Sequence, residues 1–293
     1  MSASHTLSVL MPNYNHARFL PMALEAILTQ SRPADEIIVI DDASTDHSLE
    51  VLETFARRHP NFTIIRNKEN LGVVPNSNRL AALCRTTHAT FLAADDVILP
   101  GMFERIMALF SAHPQAGLCS GMTRRLGQEG QDLGELVTPI LADSPCYVPP
   151  EAAARFIFQE GQWIINNTCV YRMDALRQAG GFQEELLAFS DGFVSDVVAL
   201  RHGVCYIPDD LAFWRENPQG FASRSCADLA LITTIMHRAL ELMRTRYADV
   251  FSPAYRERFR KHLCKRYNSG ICIEDADEGP EPAPLQDKGV RHA

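Results

Sequence analysis

Three polar motifs follow apolar runs in the first hundred residues. They are Pro12-Asn13-Tyr14-Asn15, Asp41-Asp42-Ala43-Ser44 and Asp95-Asp96. Ligands of an open parallel α/β sheet bind just beyond the carboxyl ends of the strands, so these motifs are the first candidates for a binding site. Four carboxylates gathered there would repel one another unless a cation or hydrogen-bond donors compensated for their charge. Because hard oxygen ligands suit Mg²⁺ or Mn²⁺, the motifs predict a divalent-metal site at one edge of a sheet.

Each motif has a simpler interpretation when it is taken alone. An Asp pair after a strand is most often a turn or a helix cap. The combination of two such pairs with the Pro-Asn-Tyr-Asn turn favours a binding site over that interpretation.

The elements that position these motifs alternate between strands and helices. The predicted strands are Leu7–Met11, Glu36–Asp41, Phe62–Arg66 and Thr90–Ala93. A first helix is predicted over Leu20–Leu28, a second beginning at Ser44 or Thr45, and a third beginning at Pro75. This alternation is typical of βαβ units, and it predicts an α/β fold with a mostly parallel central sheet flanked by helices.

The second half of the chain has a different rhythm. Short β-like pieces at Thr168–Arg172 and Val204–Ile207 accompany one helical stretch, Pro150–Phe158, and we expect them to extend the same sheet and build an acceptor pocket. Beyond Cys226 the apolar spacing is helical again, and a final helix is predicted from about Pro253.

The first motifs carry a family resemblance. Leu7–Asp46, with its Pro-x-Tyr-Asn turn and the run Glu36–Asp46, and the later Asn70-Leu71-Gly72 resemble the family-two inverting glycosyltransferases of GT-A fold. The likeness covers about residues 6 to 225. It implies a Rossmann-like domain that moves a sugar from a nucleotide-diphosphate donor, a UDP-sugar, to a hydroxyl of a glycan or lipid-linked acceptor. Family habit implies cell-surface polysaccharide assembly in a bacterium.

The resemblance also implies a domain division. Residues 1–225 form the GT-A catalytic domain, with a nucleotide-binding half to about residue 115 and an acceptor half over 116–225. A helical extension follows at 226–275. The last residues, 276–293, are rich in Pro, Gly and charge, which predicts a disordered tail.

Donor-binding residues follow from the same resemblance. The nucleotide site is expected to include Pro12, Asn13, Tyr14, Asn15, Asp42, Asn70, Asn78, Ala94 and Asp95. Tyr14 would lie against the base, and Asp42 would accept a hydrogen bond from it. The metal motif of the family falls at Asp95, with Asp96 as a second ligand, and the expected cofactor is Mn²⁺ or Mg²⁺. This sequence departs from the family pattern at Ala93, where many members have a first Asp.

The family's catalytic base maps to Asp191. In the family, this Asp belongs to a Glu-Asp pair after a Gly-Gly-Phe turn, and here Gly180-Gly181-Phe182 precedes Asp191. Ser190 replaces the usual Glu, and Asp196, further along the same predicted helix, is the rival base.

Two further sets of residues complete the predicted site. Arg215 and Arg224, with the segment Asn217–Ser225, match a flexible segment that folds over the donor diphosphate in this family. A solvated side chain is the alternative for each arginine. Trp163, Asn166 and Asn167 could form an acceptor platform from a ring face and two amides, although core packing explains Trp163 equally well.

Composition limits the classes of function. With 46% hydrophobic and 22% charged residues, the chain has the composition of a globular protein. Its net charge of −8 argues against nucleic acid as a partner. The eight cysteines lack paired spacing, and neither a signal peptide nor an apolar run of about 18 residues occurs, so we expect a cytoplasmic protein. The sequence does not indicate an oligomeric state.

Other functions remain open beside the transferase. A catalytically silent nucleotide-sugar or glycan-binding protein would keep the fold while tolerating Ala93 and Ser190. A metal-dependent phosphoryl enzyme is disfavoured because no GxxxxGK[ST] loop occurs, and a dehydrogenase because no GxGxxG follows the first strand. The basic stretch Arg256–Arg266 could rest on anionic lipid at the inner face of a membrane, with a solvated helix face as the alternative.

Overall fold

The computed structural model describes residues 5–161, 164–218, 220, 223, 225 and 228–267, with the backbone alone for 262–267. Two predicted site residues, Trp163 and Arg224, lie outside the described residues, as does the predicted tail at 276–293.

The first four strands are short and largely apolar, as expected when helices cover both faces of a sheet. They are β1 (Leu7–Asn13), β2 (Glu36–Asp41), β3 (Phe62–Arg66) and β4 (His88–Phe91). They lie in the order β3-β2-β1-β4, and all neighbouring pairs are parallel. The predicted mostly parallel sheet is confirmed, although β4 begins and ends two residues earlier than predicted.

The second half extends this sheet, as predicted. The added strands are β5 (Val97–Ile98), β6 (Leu118–Leu126), β7 (Asp132–Glu135), β8 (Cys146–Val148), β9 (Val170–Arg172) and β10 (Val204–Arg215). The sheet continues from β4 in the order β9-β6-β10-β5, while β7 pairs with β6 and β8 with β10. β10 runs past its predicted end at Ile207 to Arg215, because register shifts between Ile207 and Ala212 carry it past Pro208.

Helices connect these strands and follow them. The first seven are α1 (Leu20–Leu28), α2 (Ser48–Ala56), α3 (Val73–Leu83), α4 (Met102–Ala112), α5 (Pro150–Glu160), α6 (Met173–Gln178) and α7 (Ser190–His202). The last two are α8 (Leu229–Arg244) and α9 (Pro253–Tyr267), and short 3-10 helices cover Asn166–Thr168 and Glu184–Phe189.

Two predicted helix starts were wrong. The second helix begins at Ser48 rather than at Ser44 or Thr45. Its N-cap is His47, and Asp46 Oδ1 accepts a hydrogen bond from Ser48 N in the turn that leads into the helix. The Ser44 hydroxyl instead accepts a bond from the backbone of the loop after β1. The third helix begins at Val73, two residues before the predicted Pro75.

The core lies on both faces of the sheet. Leu7, Val9 and Met11 of β1 pack with α1 and α4 on one face. Leu10, which alternates with them, packs on the other face with α3 and α7. This alternation follows from the period of two in a strand. Strand ends, where the apolar runs stop, are therefore where polar side chains can reach solvent.

The C-terminal helices pack against α7 and the loop before it. Tyr247 and Phe251 are buried beside Phe193 of α7, with ring centroids 5.3 and 5.4 Å from it. The Tyr247 hydroxyl donates to the Ala179 carbonyl at 2.9 Å. Apolar residues of α8 belong to the same hydrophobic cluster as α7. The predicted helical extension thus shares the core of the acceptor half where it is described.

The final helix turns its aromatic side inward. Tyr255 and Phe259 pack against the core, and Glu257 pairs with Arg260 and Lys261 on the outer side. Among the helices that the structure describes, none has the length and hydropathy needed to cross a bilayer.

We expect Phe251→Ala to destabilise the whole fold by about 3–5 kcal/mol, because it empties a buried ring site shared by the extension and α7. Chemical denaturation should show one transition at lower denaturant. The matched control is Leu229→Ala at an exposed position of α8, which should change stability by less than about 0.5 kcal/mol. Separate unfolding of the extension before the rest would contradict the shared core.

Candidate active site

The polar motifs of the first half meet at one edge of the sheet. The parallel register pairs Asn13 at the end of β1 with Asp41 at the end of β2, and Leu10 with Phe91 at the end of β4. Asn13 Nδ2 donates to Asp41 Oδ1 at 3.0 Å. The carboxyl ends of three strands therefore open onto a common surface, where the topology predicts ligand binding.

The loops after β1 and β2 are interlocked by amide side chains. Asn15 adopts a left-handed conformation, with φ of 57°, and its Oδ1 accepts a hydrogen bond from Thr45 N at 2.8 Å. Asn15 N and Asn13 Nδ2 both donate to the Ser44 hydroxyl. Asn13 and Asn15 thus shape the surface through contacts within the protein. Tyr14 between them has 42% of its surface exposed and remains available to a ligand.

Asp42 organises the start of α3. Its Oδ1 accepts hydrogen bonds from Asn67 Nδ2 at 2.7 Å and from Leu71 N at 2.9 Å, and its Oδ2 accepts one from Gly72 N at 2.8 Å. Burial alone would raise the pKa of Asp42, but these hydrogen bonds outweigh burial and lower the pKa below its ordinary value. Asp42 is therefore ionised and held in place. Asn70, one residue before Leu71, is exposed.

A cleft of about 500 Å³ opens at the carboxyl ends of β2 and β3. It is lined by Ala43, Ser44, Thr45, Arg66, Asn67 and Lys68. Arg66 and Lys68 are exposed cations at this cleft, so its charge favours an anionic ligand.

The acidic pair after β4 has two different environments. Asp95 keeps 14% of its side-chain surface exposed, and its Oδ2 lies 3.8 Å from His16 Nε2 and 3.4 Å from Asn217 Nδ2. Asp96 is buried and accepts a hydrogen bond from Arg215 N at 2.8 Å. Burial, and then the neighbouring Asp95 charge, raise the pKa of Asp96 to about 8. Asp95 is the carboxylate that a ligand can reach.

Arg215 is the last residue of β10 rather than part of the following loop, and its guanidinium is used inside the protein. Its Nε donates to the Asp95 carbonyl at 2.8 Å, and its Nη1 donates to the Gly127 carbonyl at 2.7 Å. The guanidinium carbon lies 4.6 Å from the centroid of the Phe19 ring. With 3% of its surface exposed, Arg215 joins the acidic pair to the loop after β6.

The two candidate bases differ in exposure. Asp191 lies in the first turn of α7, is exposed, and accepts a hydrogen bond from Gly192 N at 2.6 Å. The protein atoms around its carboxylate desolvate it and raise its pKa to about 6. Asp196 is buried, with the Tyr255 hydroxyl 3.5 Å from its Oδ2. Of the two, only Asp191 is open to solvent.

The remaining predicted amides connect the two halves of the chain. Asn166 Oδ1 lies 2.9 Å from the Ser195 hydroxyl, and Asn167 Nδ2 donates to the Thr123 hydroxyl at 3.3 Å. Asn78, expected near the nucleotide, instead exchanges two 2.9 Å hydrogen bonds with the backbone of Phe182. Its amide fixes the Gly-Gly-Phe turn that precedes Asp191.

The carboxylates fit a divalent cation that is shared with a ligand. No group of three His, Cys, Asp or Glu side chains suited to a metal occurs in the described part of the chain. Asp95 Oδ1 has no hydrogen-bond partner among those residues and can serve as one ligand. Mg²⁺ in particular is usually held by one or two carboxylates plus phosphates and water. The site is therefore suited to a metal that arrives with a diphosphate.

Two residues near Asp95 were missed by the sequence reasoning. His16 lies beside Asp95, and the ring of Phe19 lies against Arg215. Both follow the Pro-Asn-Tyr-Asn turn closely, and that position was the available signal. Asn217, which also contacts Asp95, begins the segment that the family resemblance had placed at the donor diphosphate.

Comparisons with known proteins agree with this architecture. The family described as Glycosyl transferase family 2 matches residues 8–178. MT1568 of Mycobacterium tuberculosis is 27% identical over 222 residues, which are 73% of this chain and 68% of that protein. The glycosyltransferase YibD of Escherichia coli is 32% identical over 109 residues, which are 37% of this chain and only 31% of YibD. The match to YibD thus spans about a third of its length.

Solved structures share the fold. Residues 1–349 of Staphylococcus aureus TarS, in complex with UDP-GlcNAc, superpose with a TM-score of 0.70 at 17% identity, covering 90% of this chain and 73% of TarS. The mannosyltransferase PcManGT of Pyrobaculum calidifontis, with GDP-Man and Mn²⁺, gives 0.60 at 16% identity, covering 90% and 75%. The expected GT-A fold is confirmed by these similarities.

We expect acid to remove the stabilisation that Asp42 provides. Because its folded-state pKa lies below the unfolded value of about 3.9, this stabilisation is complete above about pH 4 and disappears as pH falls through the folded-state pKa. Asp42→Asn should therefore be less stable than the wild type at pH 7, and the gap should shrink toward pH 3 in urea denaturation. Asp143→Asn, at an exposed carboxylate, is the control. A gap that stays constant with pH would refute the role of the ionised Asp42.

Proposed function

Because this chain belongs to glycosyl transferase family 2, we propose that it moves a sugar from a nucleoside diphosphate to a hydroxyl group of an acceptor. The observation that carries the proposal is an exposed carboxylate with a raised pKa, Asp191. In the proposal, it faces the sheet edge where Asp42 and Asp95 follow β2 and β4. The donor class is supported by TarS, whose complex contains UDP-GlcNAc, and by PcManGT, whose complex contains GDP-Man.

The donor occupies the carboxyl ends of β1, β2 and β4 in this proposal. Tyr14 offers an exposed ring to the base, while Asp42 and Asn70 lie beside the cleft that Arg66 and Lys68 make cationic. The donor's diphosphate then extends toward Asp95. Exposed cations at the cleft favour such an anion over a neutral ligand. UDP is the nucleotide that we propose.

A divalent cation at Asp95 would offset the charge that develops on the departing diphosphate. Asp95 would hold this cation, while Arg215 holds the Asp95 backbone and the Asp96 carboxylate in place. Asp96 is the weaker candidate because its raised pKa favours the protonated form at neutral pH. Arg215 itself acts as a support in this proposal, since its guanidinium is buried among protein partners.

The chemistry proposed is a single displacement. Asp191 removes the proton of the acceptor hydroxyl as its oxygen bonds to the anomeric carbon, and the bond from that carbon to the diphosphate oxygen breaks. Attack on the face opposite the leaving group inverts the configuration at that carbon. A carboxylate with a pKa of about 6 is largely ionised at neutral pH and is a stronger base than an ordinary Asp.

The acceptor site is proposed on the α7 side of the cleft. Asn166 Oδ1 lies 3.3 Å from the Tyr171 hydroxyl and 2.9 Å from the Ser195 hydroxyl, and its Nδ2 has no partner among the described residues. That free end is available to an oxygen of a glycan or lipid-linked acceptor. The basic helix α9 is also predicted to contact anionic lipid at the inner face of a membrane. Because Tyr255 and Phe259 pack inward, only the positive charge of the helix supports this prediction.

We expect Asp191→Asn to lower sugar transfer by at least about 10²-fold, the effect of losing a general base. UDP affinity, measured by calorimetry, should stay within about twofold because the carboxylate does not contact the donor's nucleotide. The wild-type rate should fall as pH drops below about 6, as Asp191 becomes protonated.

Asp196→Asn is the matched control, since Asp196 is the buried carboxylate of the same helix. A larger loss in this variant than in Asp191→Asn would transfer the role to Asp196. Wild-type protein that binds UDP-sugars with Mn²⁺ but never releases UDP would instead establish the catalytically silent alternative.

A thermal-shift screen of nucleotide sugars tests the donor and metal sites. A ligand at about a hundredfold its dissociation constant stabilises the fold by ~2.7 kcal/mol. We expect UDP-sugars to raise the melting temperature, more with Mn²⁺ or Mg²⁺ than with EDTA. Asp95→Asn should lose the metal-dependent part of the shift, and Asp143→Asn should keep it. A full metal response in Asp95→Asn would remove Asp95 from the proposed metal site.

A further inference from the structure

Polar groups from three elements meet behind Asp191. The Ser195 hydroxyl on α7 lies 2.7 Å from the Tyr171 hydroxyl on β9 and donates to the Asp191 carbonyl at 2.7 Å. Asn166 Oδ1, from the 3-10 helix before β9, lies 2.9 Å from the same Ser195 hydroxyl. One side chain thus connects the turn that carries Asp191 to two other elements.

Helix or core stability does not account for this cluster. Ser195 is fully buried and Tyr171 is 2% exposed, so both hydroxyls are withdrawn from water. A serine inside a helix that bonds the carbonyl four residues earlier slightly destabilises the helix. Buried polar networks with every member bonded specify one arrangement of the groups around them. The arrangement specified here is that of Asp191.

The Tyr171 ring is itself held by contacts that begin in the predicted nucleotide-binding half, residues 1 to about 115, which we call the donor half. It packs edge-on against Phe182 at 6.3 Å between ring centroids. The backbone of Phe182 is clamped by Asn78 of α3, and the start of α3 is held by Asp42 through Gly72 N. An unbroken series of contacts therefore runs from the proposed nucleotide site to the hydroxyl that bonds Ser195.

We infer that Tyr171 and Ser195 are positioning residues for Asp191, and that they hold its carbonyl, and so the first turn of α7, at a fixed place relative to the donor. This inference rests on the proposed function. Neither residue touches the substrate in it. Through the hydroxyls of Tyr171 and Ser195, contacts with the donor half fix the position of the proposed base. More than a hundred residues separate Asp42 from Asp191 in the sequence.

The test removes one hydroxyl and keeps its ring. Tyr171→Phe should lower kcat for UDP release from the best-binding UDP-sugar, with water as acceptor, by about tenfold, equivalent to ~1.4 kcal/mol. The donor KM and the calorimetric Kd for UDP should stay within about twofold, because the donor half is unchanged. Tyr147→Phe is the matched control: its hydroxyl bonds the His202 carbonyl at the opposite end of α7, and its loss should leave kcat unaltered.

A double-mutant cycle separates positioning from general weakening of the fold. The Asp191→Glu variant keeps a carboxylate but displaces it. When Tyr171→Phe is added to this variant, kcat should fall by less than about threefold further, because the two changes act on the same group. A full additive loss, an equal loss in Tyr147→Phe, or a kcat unchanged in Tyr171→Phe would each overturn the inference. If the wild type releases no UDP from any UDP-sugar, the proposed function fails and the inference falls with it.

Discussion

The structure depends on keeping several carboxylates close together at one edge of a sheet. Asp41 ends β2 and Asp42 follows it, and Asp95 and Asp96 follow β4, so negative charge accumulates where the apolar strands stop. Three features of the structure limit the electrostatic repulsion between these carboxylates. Asp42 is ionised and receives hydrogen bonds from backbone and amide donors, Asp96 is shifted toward its neutral form, and the buried Arg215 supports the second pair. Asp95 keeps part of its carboxylate exposed, at the place where we propose a cation and a diphosphate.

The same hydrogen bonds make the donor half rigid. Asp42 fixes Gly72 and so the start of α3, and Asn78 on α3 fixes Phe182. Because Phe182 packs on Tyr171, the contacts that Asn78 makes with Phe182 also fix the position of Tyr171 in the acceptor half. A base for group transfer must stand within hydrogen-bonding reach of a hydroxyl that faces the anomeric carbon, and displacement by an ångström is costly. Contacts that cross between the halves satisfy that requirement better than loops that move independently.

Much of the first half could be predicted from the sequence, because the spacing of its apolar residues is typical of strands and helices. β2 and β3 were predicted with their observed bounds, and the strand-end position of Asp42 and Asp95 followed from topology. The start of α2 was predicted too early because Ser44 is a common N-cap residue type, whereas its hydroxyl here contacts the loop after β1 and the helix begins at Ser48.

Tertiary partners could not be predicted in the same way. Asn78 and Arg215 were matched to ligand contacts by the family resemblance, yet their side chains contact the protein backbone at sequence separations of about a hundred residues, which no local pattern encodes. The roles of these residues toward a donor remain predictions.

Ser190 stands where the family pattern has a Glu, and the structure shows the surroundings of this position. The position is buried, and the serine hydroxyl has no partner in the described part of the chain. A glutamate in the same place would bring a second carboxylate next to Asp191, and like charges raise a pKa just as burial does. Here the protein atoms around the carboxylate desolvate it and raise the pKa of Asp191 to about 6. In the proposed function, this desolvation makes Asp191 a base suited to neutral pH without a neighbouring acid.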